Sequence, residues 1–262
     1  MAPEYLHKLR GKSIVIVGGT SGVGFAVAEA CLEFGAELVI VSRSQENVDR
    51  AVHRLQASYP DAATSIQGYT CDLMSGQAEA DIVKVFDLAT QNGTNLVDHV
   101  ISTAGSLPKP MTLADATSDD LVADSKYHFI GDLLLAKVVV RYLKPTYTSS
   151  ITMTGGAGTF KPPPGWPLWA GVGGAKDALT RSLAVELKPI RVNIVSLGAI
   201  RTELFDGAVA DWGAEAIDAT MKASPLNKIG DPQDVAETYL ALIKNHFATG
   251  TINFVEGGAL LV

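Results

Sequence analysis

Three glycines, Gly18, Gly22 and Gly24, follow four consecutive β-branched residues, Ile14-Val15-Ile16-Val17. Such a run reads as a buried parallel strand with both faces covered. From Phe25 to Phe34 apolar side chains recur at helical spacing through Ala26, Val27, Ala30, Cys31 and Phe34, and Gly35 is a candidate stop. Strand, glycine turn and helix in that order open a dinucleotide-binding unit. The loop through Gly18, Thr20, Ser21, Gly22 and Val23 then turns its amides, with the positive end of the helix, toward a pyrophosphate. An ordinary tight strand-to-helix turn would have the same local pattern, so the rest of the chain must decide. The next signal is Ser42-Arg43-Ser44, directly after the second strand. A carboxylate at this place would serve the ribose hydroxyls of NAD. Two hydroxyls and a guanidinium, with Ser21 near, instead suit the 2′-phosphate of NADP, because arginine grips phosphate through several donors. The alternative is a solvated surface arginine.

The elements that must position these residues alternate. After the first strand and helix come a strand at Glu37 to Val41, an amphipathic helix at Asn47 to Ser58, and a strand at Thr64 to Thr70. A helix is expected over Ala78 to Asn92, a strand over Val97 to Ser102, and a long helix from Asp119 to Leu143, broken or bent near Gly131. A strand at Ser149 to Met153 leads into a loop from Phe160 to Pro167, too rich in proline for regular structure. A helix over Ala170 to Lys188, a strand over Arg191 to Ser196, a helical insertion over Leu204 to Leu226, a helix over Asp231 to Asn245 and a strand over Thr251 to Val255 complete the chain. Strict β-α alternation predicts an α/β fold, a doubly wound, Rossmann-like parallel sheet with helices on both faces. Its ligand should sit at the carboxyl ends of the strands.

The 262 residues allow one large domain, 1–262, with a small substrate-covering insertion at about 203–227. No linker, repeat or low-complexity run divides them. A net charge of -7 with 19% charged residues gives no nucleic-acid surface, and no metal site is expected. Cys31 and Cys71 read as buried, reduced thiols of a cytoplasmic protein. The polar stretch from Met1 to Lys12 has no apolar signal core, and no stretch would span a membrane.

From Gly11 to Gly258 the chain resembles the short-chain dehydrogenase/reductase family. The resemblance rests on the glycine loop, Cys71-Asp72-Leu73, Ala104-Gly105, Arg191-Val192-Asn193-Ile194-Val195-Ser196-Leu197-Gly198 with Thr202, Gly230-Asp231-Pro232-Gln233-Asp234-Val235-Ala236 and Gly257-Gly258. The loop Lys161-Pro162-Pro163-Pro164-Gly165-Trp166 is similar to a fungal subgroup that includes reductase/Diels-Alderases of alkaloid tailoring. The resemblance implies that Asp72 meets the adenine amino group, unless it caps a following helix. It also implies that Leu73, Ala104, Gly105 and Gly198 line the nucleotide, and that Ile200 and Thr202 hold the nicotinamide amide and a phosphate. Assembly as a homodimer or homotetramer, through the helix carrying Lys176 and the C-terminal strand, is the family's habit.

The family active site of Asn, Ser, Tyr and Lys is incomplete. Val172 takes the tyrosine position four residues before Lys176, Gly155 or Gly156 takes the serine, and His128 takes the asparagine, counted back from Gly131. Reducing a ketone creates an alkoxide that needs a proton donor. An iminium carbon is simply neutralised by hydride and needs none. The leading expectation is therefore an NADPH-dependent reductase of a hydrophobic intermediate, acting on an iminium-type electrophile and, in one version, coupled to cycloaddition. A non-catalytic NADP-binding scaffold and a carbonyl reductase with a replaced donor are the competing expectations. Lys176 is expected at the nicotinamide ribose, or else exposed on its helix. Trp166 and Trp169 are candidates to cradle a cation, or else pack internally or at a dimer contact. His128 is a candidate donor or a structural histidine. Asp206, Asp211 and Trp212 are further candidates beyond Thr202.

Overall fold

The computed structural model describes residues 4–107, 110–212 and 219–262, with the backbone alone at 4 and at 208–212. Seven parallel strands form one sheet: β1 (Ser13–Val17), β2 (Glu37–Ser42), β3 (Ile66–Thr70), β4 (His99–Ser102), β5 (Ser150–Gly156), β6 (Arg191–Leu197) and β7 (Ile252–Val255), in the order β3-β2-β1-β4-β5-β6-β7. The order reverses between β1 and β4, which opens a crevice above their carboxyl ends.

The run Ile14 to Val17 explains the layering. Ile14 and Ile16 point into a core shared with α1 (Gly22–Glu33), α2 (Gln45–Ser58) and α8 (Pro232–Lys244). Val15 and Val17 point into the opposite core, shared with α3 (Ala78–Thr90), α5 (Gly131–Val139) and α6 (Pro167–Glu186). Alternate side chains of a strand face opposite sides, so a strand covered on both must be apolar throughout.

Several boundaries depart from the periodicity. The third strand loses Thr64 and Ser65 to a 3-10 turn, Pro60–Ser65, whose leading proline is preset for a helical turn. The helix expected over 119–143 consists of α4 (Ser118–Ser125), a π-helical turn (Lys126–Ile130) and α5. The turn closes where the Gly131 N–H donates to Lys126 O. A Cβ at Gly131 would stand 3.1 Å from the Leu73 Cβ, so glycine permits this approach of helix to loop. Helix α6 begins at Pro167, three residues before the expected start, because proline suits the first helical position. Of the expected insertion, α7 (Glu203–Trp212) is described, and 213–218 lie outside the described residues.

Asp177 on α6 is buried at 6% exposure. Its carboxyl is pushed up to about 6 by burial, against the opposing charges of Arg181 and Lys176. The folded state holds this proton more tightly than the unfolded chain, whose carboxyl titrates near 4. Ionised Asp177 therefore costs stability above pH about 6, and the cost vanishes as pH falls from about 6 to about 4. Asp177→Asn is expected to raise stability by about 1–2 kcal/mol at pH 7.5 and to lose that advantage near pH 4 in denaturant melts. A variant no more stable than the parent at pH 7.5 would refute this account.

Candidate functional site

The crevice is a cleft of ≈ 1390 Å³, larger than the roughly 300–1,000 Å³ of most small-ligand pockets. Its floor is the β1–α1 loop. Gly18 has φ +90, and a Cβ there would lie 2.5 Å from Ala104 N; one at Gly24 would lie 2.3 Å from Gly18 O. Only glycine lets loop, helix and β4 end meet so closely. Thr20, Ser21, Gly22 and Val23 line the floor as well. A Cβ on Gly105 would meet nothing within 4 Å, so backbone there stands open to a ligand. Glu203, at the start of α7, accepts from the Gly22 N–H at 3.0 Å. That amide is one a pyrophosphate would use, so a phosphate oxygen taking it must displace this carboxylate.

At the outer end, Ser42 and Arg43 line the cleft, with Asn47 beside them. Arg43 is exposed and has no carboxylate partner among the described residues. Ser44 stands differently from its two neighbours. It does not line the cleft, and its hydroxyl caps α2 by accepting from the Asn47 N–H at 3.4 Å. Asp72 and Leu73 line the cleft. Asp72 caps no helix: its Oδ1 accepts from the Met74 N–H at 2.9 Å within a tight turn, and α3 starts later, after Gln77. Ala104, Gly198, Ile200 and Thr202 complete the wall, and Thr202 Oγ1 accepts from the Phe205 N–H at 3.2 Å.

At the inner end, Lys176 is no exposed helix lysine. It is 4% exposed, donates to Thr154 O at 3.0 Å, and lies 2.6 Å from Asp132 Oδ2. Asp132, also buried, accepts from the Ser102 hydroxyl at 2.5 Å through its other oxygen. Thr154 Oγ1 donates to Ser102 O at 2.7 Å and meets the buried Tyr239 hydroxyl at 2.5 Å. The cluster thus ties β4, β5, α5, α6 and α8 together beneath the cleft.

Val172 is 5% exposed, carries no polar atom and does not line the cleft; Trp169 and Gly173 line it instead. The two tryptophans, each half-buried, meet edge to face with centroids 5.2 Å apart, and both line the cleft. The Trp169 indole fills the space above the end of β5. A Cβ at Gly156 would stand 2.4 Å from its Cη2, and one at Gly158 2.6 Å from its Cζ3. A Cβ at Gly155 would stand 2.9 Å from Ile194 Cδ1. Neither candidate serine position has space for a hydroxymethyl group as the chain stands.

His128 stands in the π-helical turn on the cleft wall, its Nε2 3.4 Å from Ser106 Oγ. Burial and the positive charge of Lys176 push its pKa down to about 4, against the pull of Asp132. At neutral pH it is an uncharged imidazole that can donate one N–H. Asp206 is exposed and does not line the cleft, whereas its neighbours Leu204 and Phe205 do. The side chains of Asp211 and Trp212 lie outside the described residues. Asp132, Tyr127 and Glu203 are site residues that the sequence did not single out. Asp132 left one signal, a lone carboxylate within the otherwise apolar run Ile130 to Ala136.

Over residues 5–262 the chain matches the family model of the SDR-like Rossmann domain. It is 38% identical over 264 residues to the short-chain dehydrogenase/reductase ucsE of Acremonium sp, with 100% of each chain covered. It is 35% identical over 266 residues to the short-chain dehydrogenase/reductase malC of Malbranchea aurantiaca, again with 100% of each covered. The solved structure of the MalC reductase/Diels-Alderase from that organism superposes with a TM-score of 0.91 at 34% identity, covering 98% of this chain and 100% of that one.

The glycine–indole contact is testable as a pair. Gly156→Ser should cost about 1–3 kcal/mol by overpacking against the ring, seen as a lowered Tm. In a Trp169→Ala background the same change should cost little, giving a coupling energy of similar size. Additive losses would show that the ring does not occupy that space.

Proposed function

The chain belongs to the short-chain dehydrogenase/reductase family, and we propose that it is an NADPH-dependent reductase of an iminium-type electrophile in a hydrophobic natural-product intermediate. The observation that carries this reading is a glycine-floored cleft whose inner end has Val172 where the family has its tyrosine and Gly155 or Gly156 where it has its serine, so the donor that would protonate an alkoxide is missing from its usual place. The residues present fit the cofactor: the glycine floor leaves no room for a Cβ, and a free guanidinium stands at the ribose-phosphate end. When bound, NADPH supplies a hydride, whose electron pair forms the new C–H bond as the C=N π pair returns to nitrogen, so no proton is required.

In this reading Gly18, Thr20, Ser21, Gly22 and Val23 cradle the pyrophosphate, and Ser42 and Arg43 hold the 2′-phosphate. Asp72 and Leu73 meet the adenine, Ala104 and Gly105 admit the ribose, and Gly198, Ile200 and Thr202 face the nicotinamide amide. Lys176 anchors the inner end. Trp166 and Trp169 offer aromatic faces to a cation or a flat heteroaromatic ring. The exposed prolines Pro162, Pro163 and Pro164 form a rigid rim, held where the Met111 N–H donates to Gly165 O at 2.6 Å. Cycloaddition in the same pocket asks only that the reacting ends be held together in an apolar space; the likeness to the MalC reductase/Diels-Alderase supports it. Assembly of copies through α6 and β7 is supported by the place of β7 at the end of the sheet order, where exposed Phe254 meets exposed Phe160 edge to face with centroids 4.8 Å apart.

Two measurements test this reading. NADPH oxidation should proceed with a cyclic N-alkyl iminium ion and be at least about a hundredfold slower with a ketone of like shape, the scale that losing a positioned acid removes. Ketone turnover as fast as iminium turnover would overturn the mechanism. Cofactor choice is separately readable. Arg43→Ala should weaken NADP+ binding by roughly 1.5–3 kcal/mol, the scale of hydrogen bonds to a charged group, and leave NAD+ binding nearly unchanged in titrations. Equal losses for both would remove the assignment of Arg43 to the 2′-phosphate.

A further inference from the structure

The inner end of the cleft carries one buried cation and one buried anion, and only the cation reaches the cleft. Lys176 lines it, whereas Asp132 lies behind, 2.6 Å from the ammonium and 2.5 Å from the Ser102 hydroxyl. The other charged and titratable groups facing this pair are few. His128 is neutral, with its pKa pushed down to about 4, and the Tyr239 phenol, held up by burial, stays protonated. Asp177 on α6 points to the Gly155 side. Half-buried Glu256 and exposed Lys161, Glu203, Lys228 and Asp234 also line the cleft, so it is the buried part of the charge presented to a ligand that depends on whether Asp132 cancels Lys176.

We propose that Asp132 is a specificity-determining positioning residue: by neutralising Lys176 it makes the inner end of the cleft tolerant of a positively charged ring. In ketone reduction a negative oxygen and a positive nicotinamide develop together, and a free ammonium beside them helps. In iminium reduction a single positive charge passes from substrate to nicotinamide, so some positive ring is present throughout. A bare ammonium would oppose it at every stage. A carboxylate at 2.6 Å removes that opposition without touching the ligand, and the aromatic faces of Trp166 and Trp169 add weak attraction for a cation. The pair also resolves a problem internal to the fold, because a buried ammonium without a partner is strongly unfavourable.

The inference rests on the cofactor reading above and has a readout separate from turnover, the ratio of the Kd values for NADP+ and NADPH. The oxidised ring is cationic and the reduced ring neutral, so the ratio senses the local charge. Asp132→Asn should weaken NADP+ relative to NADPH by roughly tenfold, the scale of one unit charge acting across several ångströms of partly solvated protein. The double variant Asp132→Asn/Lys176→Gln, again neutral, should return the ratio to within about twofold of the parent. If Asp132→Asn does not fold, Asp132→Ser leaves space for water around the ammonium, and the same shift is expected. A merely structural Asp132 would weaken both nucleotides together and leave the ratio unchanged, which overturns the inference while the cofactor reading survives. Failure of both nucleotides to bind the parent protein overturns that reading and the inference with it.

Discussion

The architecture turns on one close approach. The backbone of the β1–α1 loop lies against the end of β4 so tightly that a Cβ at Gly18 would fall 2.5 Å from Ala104 N. Thr103 locks the contact by donating through Oγ1 to Gly18 O at 3.1 Å. These are the two strands between which the sheet order reverses. If the loop stood further off, α1 could not start at Gly22 with its first amides over the crevice, and no floor would remain for a diphosphate. Later strand ends build walls around that floor. The β2 end supplies Arg43, the β3 end Asp72, the β4 end Gly105, and the β6 end the stretch from Gly198 to Thr202.

How much of the molecule is legible in its sequence depends on how local each signal is. The β-branched run of β1, the amphipathic spacing of α2 and the glycine loop are encoded in neighbouring residues, and they predict fold and cleft. Boundaries failed where the terminal residues carry no apolar periodicity. Gly22 and Pro167 start helices that the hydrophobic pattern places three residues later. The π-helical turn was invisible because a run such as Lys126 to Ile130 keeps the composition of an ordinary helix. Ser44 was ambiguous by chemistry, since one hydroxyl after a strand can donate to a phosphate while it caps the next helix; the structure shows the cap. Asp132 was out of reach because its partners, Ser102 and Lys176, come from other elements far along the chain.

The inner end shows how departures from a family pattern depend on one another. Loss of the tyrosine leaves a lysine without the group it served, and a buried lysine needs some partner. Asp132 supplies it from α5, which shares one face of the sheet with α6. Loss of the serine leaves a glycine-lined recess at the end of β5, and an empty recess is costly in a packed interior. The Trp169 indole fills it, which in turn requires Gly156 and Gly158 to stay without side chains. Reverting one position would therefore rebuild neither the packing nor the charge.

The two substitutions also point the same way chemically. Filling the serine recess with an indole replaces a hydroxyl donor by apolar ring atoms. Pairing the lysine with a carboxylate exchanges a free positive charge for a neutral dipole. Each change weakens the site's hold on a developing oxyanion and improves its tolerance of a cation. The cleft, meanwhile, has a glycine floor and an exposed arginine, Arg43, at its outer end. A glycine-floored cleft joined to an inner end whose lysine is neutralised by a carboxylate is the arrangement that the proposed hydride transfer to an iminium-type carbon would call for.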